Sequence, residues 1–277
     1  LNARILLALF VIFPVSALAQ GVDKLADKLA DLRFEGRIEA SMRSQVANSV
    51  NGFLTDIHFT KGDRVEAGQL LFSLSSVVYE HQVNAAQALL DRRQIELAQA
   101  EANVERVSKL EDRGTATQVQ LEDASARLAL AKVAVDEARI GLDLRKLELA
   151  STTITAPIAG YIDSPRLTRD AYLKTETGKP LAEIVQVDPA LVSFAHPYDS
   201  LLELHHAAPE RIEEYLDRFA VHVTLPTGER YEQTGKVAFV GTELNSDGGL
   251  QVWAEIPNPE VILIPGLQVS VSIELKK

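Results

Sequence analysis

The sequence predicts a mixed, multi-module fold. An antiparallel α-helical coiled-coil hairpin is inserted in a small β unit, and a small β-barrel follows. Three observations predict this. Two long stretches carry a heptad seam of apolar residues on either side of one glycine. Short strands with turn glycines flank that pair, and neither flank alone has enough apolar surface for its own core. The last third of the chain then shows strands at regular spacing, separated by Pro- and Gly-containing turns.

The seam of the first arm runs Tyr79, Val83, Ala86, Leu90, Arg93, Leu97, Ala100, Val104 and Val107. That of the second runs Leu121, Ala124, Leu128, Ala131, Val135, Ala138, Leu142, Arg145 and Leu149. Steps alternating four and three keep one narrow stripe facing a partner helix, with no wide apolar face beside it. Between the arms, Arg113-Gly114 supplies a helix stop, and Thr115 or Thr117 can cap the next helix, so the arms fold back on each other. With roughly 33 residues each, at 1.5 Å per residue, the arms project about 50 Å. A long arm of this kind serves reach and docking better than chemistry.

Before the hairpin, strand alternation begins near Phe34, and Val50 to Phe59 reads as two short strands about the Asn51-Gly52 turn. Gly62 and Gly68 suit tight turns at positive φ, with Val65 buried between them and the apolar Leu70-Leu71-Phe72 following. After the hairpin, Ser151 to Ile162 is again strand, with a bend at Ala156-Pro157 and a turn at Gly160, and the apolar patch from Leu181 to Val187 completes this part. Further strands are expected at Val192–Phe194, Val221–Leu225, Val237–Val240, Val252–Ile256 and Leu267–Glu274, with one helix between Tyr198 and Phe219. In the closing strand, Val269, Val271 and Ile273 alternate onto one barrel face.

A net charge of -11 over 277 residues offers no basic field for phosphates, so no nucleic-acid partner is expected. Without cysteine there are no disulfides, thiolate metal sites or cysteine nucleophiles. The six histidines show no metal-ligand spacing, and phosphate-binding glycine loops and nucleophile elbows are missing from the sequence. No cofactor and no enzymatic activity are expected. At the N-terminus, Arg4 precedes the apolar run Ile5 to Phe13, and Ala17-Leu18-Ala19 offers small residues for cleavage. Residues 1–19 therefore read as an export signal, or as an anchor if uncleaved.

These segments resemble the periplasmic adaptor subunits, or membrane fusion proteins, of tripartite efflux pumps of the resistance-nodulation-division (RND) type. Four pieces carry the resemblance. Gly52…Lys61-Gly62-Asp63-Arg64-Val65…Gly68-Gln69-Leu70-Leu71 is similar to the family's first lipoyl half-motif, and Ile154 to Ile162 (ITAPIAGYI) to the second. Gln186-Val187-Asp188-Pro189 with Val192 resembles the entry to the adaptor barrel, and Pro257-Asn258-Pro259…Leu263-Ile264-Pro265-Gly266-Leu267-Gln268-Val269 its closing motif. Two departures stand out. The segment from Arg169 to Gly178 lacks the first glycine expected before the last lipoyl strand, and the chain ends straight after the barrel motif, so the membrane-proximal domain of longer adaptors is expected to be missing.

The resemblance implies a split lipoyl-like domain (residues 41–75 with 151–187), the hairpin (76–150) and a β-barrel domain (32–40 with 188–275). It implies a non-enzymatic protein of the periplasm, associated with the inner membrane. Its partners would be an inner-membrane RND transporter, an outer-membrane channel and further copies of itself, as a hexamer in the working pump. At the hairpin tip, Arg106, Leu110 and Thr117 sit at the spacing of the family's Arg-x3-Leu-x6-Ser channel-docking pattern, with threonine in place of serine. The same residues have a plainer reading. Thr117 with Gln120 fits a capping box, Arg106 a solvated flank, and Leu110 hairpin packing. The two readings are compatible. No lysine is presented for acylation, since the hairpin occupies the turn where a carrier domain would hold one. Alternatives are an adaptor of an ABC-type exporter, a carrier-domain protein, and a periplasmic coiled-coil structural protein without transport.

Overall fold

A computed structural model describes residues 33–175, 179–199, 202, 219–246 and 248–275. The expected export signal, and most of the helix expected between Tyr198 and Phe219, lie outside the described residues. The chain divides into two compact units, one running from Ser44 to Ile184 and the other formed by the segments on either side of it.

In the flanking unit, β1 (Arg33–Val46), β8 (Ala182–Pro197), β9 (Phe219–Thr224), β10 (Gly235–Leu244), β11 (Gly249–Ile256) and β12 (Gln268–Leu275) form the order β1-β12-β9-β10-β11-β8. Pairing of β8 back to β1 closes the ring, which removes the open edges a flat sheet would expose. Alternation decides what fills it. Val269, Val271 and Ile273 of β12 point inward with Ile38, Val192, Val221 and Ile256, all buried. Gly36 is required where β1 meets β12, because a Cβ there would lie 2.6 Å from the Val271 Cγ2 methyl. Asp188-Pro189, joined by a cis peptide bond, lies within β8, which runs from Ala182 to Pro197.

A buried amide locks the end of this barrel. Asn258 is fully buried, and its Nδ2 donates to the carbonyls of Val187 (2.8 Å) and Leu263 (3.0 Å). Its Oδ1 accepts from the Leu263 N–H (3.1 Å) and the Tyr231 hydroxyl (3.3 Å). Both ends of the side-chain amide are thus matched, as burial demands.

The central unit is built from two half-motifs. The first supplies β2 (Gly52–Ile57), β3 (Arg64–Val65) and β4 (Leu70–Leu74), and the second β5 (Thr153–Thr155), β6 (Gly160–Ile162) and β7 (Tyr172–Leu173). They interleave as a sheet of order β5-β4-β2-β7, while β3 pairs with β6. One core results, in which Leu54, Val65, Leu71 and Phe72 from the first half pack with Ile154, Ile162, Leu173 and Ile184 from the second. Gly62 and Gly68 take φ of +84° and +83°, as the turns about the buried Val65 require.

One local expectation is corrected, and one departure is explained. Asn51-Gly52 does not join two strands. Gly52 opens β2, and the Asn51 side chain accepts hydrogen bonds from the N–H (2.8 Å) and hydroxyl of Thr175, far away in sequence. In the segment lacking the expected glycine, Asp170 takes the left-handed conformation itself, at φ +65°. Aspartate is among the few side chains that tolerate it.

Between β4 and β5 stand α1 (Val77–Glu111) and α2 (Gln118–Ala150). All eighteen seam residues are buried or half-buried, with Leu90, Ala124, Val135, Ala138 and Leu142 the most enclosed. The two arginines in the seam are paired within their own helices, Arg93 with Glu96 (2.7 Å) and Arg145 with Glu148 (2.8 Å). No helix among the described residues is long and apolar enough to cross a membrane.

Candidate functional site at the hairpin tip

The tip is a short turn tied back to α1 by its own backbone hydrogen bonds. The Asp112 N–H donates to Ser108 O (3.0 Å) to end α1, and Gly114 at φ +71° turns the chain and donates to Glu111 O (2.7 Å). The Leu110 carbonyl then collects three donors, the N–H (2.9 Å) and hydroxyl (2.9 Å) of Thr115 and the N–H of Ala116 (3.2 Å). Thr117 opens α2 with a complete capping box. Its Oγ1 accepts from the Gln120 N–H (3.3 Å), and its own N–H donates to Gln120 Oε1 (2.9 Å). Of the two candidate caps, Thr117 is used, while Thr115 ties the turn back to α1.

These bonds leave a defined surface. Arg106 and Leu110 lie one turn apart on one face of α1, and Thr117 stands across the turn at the head of α2. Arg106 is exposed, its guanidinium held by Asn103 Oδ1. The Leu110 side chain is exposed at the very end of the arm, and so is Val119, which the motif did not single out. Val119 precedes the first seam residue of α2, so no heptad position marks it, and its apolar exposure at the tip is visible only once the turn is drawn. Lys109 donates to Glu105 Oε1 (2.6 Å) and holds that carboxyl below its ordinary range. The result is a small apolar end set in charged, solvated side chains. Among the described residues no group of three His, Asp or Glu side chains converges as a metal site.

A β unit of interleaved half-motifs, split by a long coiled-coil hairpin and accompanied by a six-stranded barrel, defines the membrane fusion protein class. Residues 40–187 match the family model described as the RND membrane fusion protein barrel-sandwich hybrid domain, and the chain belongs to that family. It is 32% identical to the efflux pump periplasmic linker BepF of Brucella suis over 95% of this chain and 64% of that protein. It is 28% identical to the multidrug resistance protein MexA of Pseudomonas aeruginosa over 86% and 60%. The chain thus spans less than two thirds of the length of these curated relatives. Among solved structures, a membrane fusion protein of Streptococcus pneumoniae superimposes with a TM-score of 0.65, covering 89% of this chain and 100% of that one at 15% identity, a likeness of fold.

Proposed function

We propose that this chain is a periplasmic adaptor that links an inner-membrane RND transporter to an outer-membrane channel, and that its work is geometric rather than catalytic. The observation that carries this is the tip. An arm of about 50 Å ends in a turn tied by its own hydrogen bonds, leaving Val119 exposed and Leu110 partly so. Apolar side chains at the far end of a reach are surplus to the hairpin's own stability and suit a partner. Arg106, Leu110 and Thr117 form the docking surface, with Arg106 supplying a charged, directional contact and Leu110 the apolar one. Thr117 acts by fixing the head of α2, a role its hydroxyl shares with the family's serine. The names of BepF and MexA, a periplasmic linker and a multidrug resistance protein, agree with this reading.

The test is export of toxic compounds by cells carrying Arg106→Ala or Leu110→Asp variants. Both are expected to abolish resistance while the protein stays folded at normal abundance, and Thr117→Ser is expected to retain it. Wild-type resistance in both tip variants would move the docking role elsewhere.

A further inference from the structure

A cavity of about 370 Å³ opens in the central unit, where β7 forms the edge of the sheet β5-β4-β2-β7. Its floor is apolar, since Leu173 and Leu181 belong to the core and are 4% and 3% exposed. Leu167, Tyr172 and Pro180 make the walls. Beyond Tyr172 the apolar surface continues on Phe53, its cross-strand neighbour on β2, whose ring meets it edge-on at 4.9 Å. Both of these aromatic residues are more than half exposed. Rings that pack on each other at a sheet edge and stay uncovered add little to the core and mark a place of contact.

The rim has one sign of charge. Arg166, Lys174 and Lys179 line the cavity, all exposed, and no acidic side chain lines it with them. This is a local reversal in a chain whose net charge is -11. Asp163 reaches Arg166 only at 3.7 Å, while its Oδ1 accepts from the Glu183 N–H (2.7 Å). So long and exposed a pair contributes little and leaves the guanidinium accessible. The walls are also held in place. The Arg166 N–H donates to Leu181 O (3.0 Å), the Leu181 N–H to Val46 O (2.7 Å), and β7 is paired to β2. A cavity already shaped by backbone bonds spends little on ordering when it is filled.

We infer that this cavity binds one molecule of a free, single-chain amphiphile, an apolar body carrying one anionic head. The body covers Leu167, Tyr172 and the apolar floor and takes them out of water. The head stays at the rim among the three cations, still partly hydrated, so attraction is gained without burying a charge. A cationic head at the same place is repelled. The volume lies near the lower end of the roughly 300–1,000 Å³ usual for small-molecule sites, which suits one chain and leaves no room for the second tail of a membrane lipid. The assignment goes beyond the adaptor reading and does not rest on it.

The probe is dodecanoate, titrated by calorimetry into the purified chain below the concentration at which it forms micelles. Saturable binding of one molecule per chain is expected, with dodecyltrimethylammonium weaker by about tenfold or more. Lys179→Glu and Leu167→Asp, both at exposed positions, should each weaken dodecanoate by about tenfold. Lys61→Glu, which reverses a cation of the same unit outside the cavity, should leave it unchanged. In Arg166→Glu/Lys179→Glu the preference should invert, so that the ammonium binds more tightly than the carboxylate, whereas a merely loosened cavity would lose both. The inference is overturned if dodecanoate does not saturate, if the two heads bind equally, or if Lys179→Glu and Leu167→Asp bind as the unaltered chain does. One dodecanoate per two chains would overturn it by showing that a second copy completes the site. Binding to phosphatidylglycerol vesicles, with none to free dodecanoate, would overturn it in favour of a lipid surface. If a variant loses helicity, the comparison of the two heads on the unaltered chain still decides. Export by tip variants has no bearing on these titrations, so each reading can fail alone.

Discussion

Replacing Asn258 by leucine keeps the volume of the side chain and removes all of its hydrogen bonding from the closed end of the barrel. Tyr231 retains a partner, since its hydroxyl also donates to Pro257 O (3.1 Å). The Leu263 N–H and the Val187 and Leu263 carbonyls lose the groups that meet them, and Leu263 is fully buried. At about 1–3 kcal/mol for each buried group left unmatched, with carbonyls at the lower end, the loss is about 3–6 kcal/mol. That is a large share of the roughly 5–15 kcal/mol that holds a domain folded. Asn258→Asp is expected to be no better, because a carboxylate would face the two carbonyls that the amide nitrogen now serves. The assay is urea unfolding followed by the chain's single tryptophan, Trp253, which lies in β11 with its ring stacked on Phe239 and so reports the barrel alone. With a slope of about 1–3 kcal/mol per molar urea, the midpoint should fall by about 1 M or more, while helicity at 222 nm, dominated by the hairpin, holds its own transition. A midpoint moved by less than about 0.3 M would refute the claim that this amide locks the barrel.

Two further outcomes are expected. Leu142→Asp, at one of the most enclosed seam positions, should destabilise the hairpin by about 3–5 kcal/mol through lost packing and a buried charge. Leu130→Asp, at an exposed position of α2, should change stability by no more than about 0.5 kcal/mol, and thermal melts at 222 nm separate the two; equal losses would mean that the seam is misassigned. Barrel stability should also fall in acid. His196 is buried against Phe34 and held below its ordinary pKa by burial, against the hydrogen bond it donates to Pro197 O, and His222 is lowered by burial and Arg230, against Glu274. Imidazoles that resist protonation when folded leave stability intact above the unfolded value of about 6.5 and forfeit it as pH falls from there toward the lowered folded value. The melting temperature followed by Trp253 should drop as pH falls through the unfolded value of about 6.5, and less steeply in His196→Gln; identical slopes would exclude His196 as a source.

What could be read from the chain and what could not divides by the range of the interaction. The seam residues announce themselves because a 3.5-residue period is a local property, and the same is true of Gly62, Gly68 and Gly114, where the backbone conformation alone selects the residue. The alternation of Val269, Val271 and Ile273 likewise fixes which face of β12 is inward. Asn51-Gly52 misleads because it is a strong local signal for a hairpin turn, whereas its real partners, Thr175 and the Tyr79 hydroxyl that donates to Asn51 O (2.7 Å), come from elsewhere in the chain. The role of Asn258 is hidden in the same way, since Val187 and Tyr231 reach it only in the folded barrel. At the tip, the spacing of Arg106, Leu110 and Thr117 is legible, but the turn's own bonding, and the exposure of Val119 beside it, are not.

The root of the hairpin has a consequence of its own. The strands that enter and leave it, β4 and β5, are antiparallel partners with Phe72 opposite Ile154, and the Leu74 N–H donates to Thr152 O (2.8 Å), so the two helices start from neighbouring points held by the sheet. A loop closed at its base by a ladder places no demand on how far it extends. Removing one heptad from each arm, in matched pairs that keep the seam in phase, would shorten the projection by about 10 Å and leave every residue of the β core where it is. Length in this protein is therefore a quantity that can be set independently of folding.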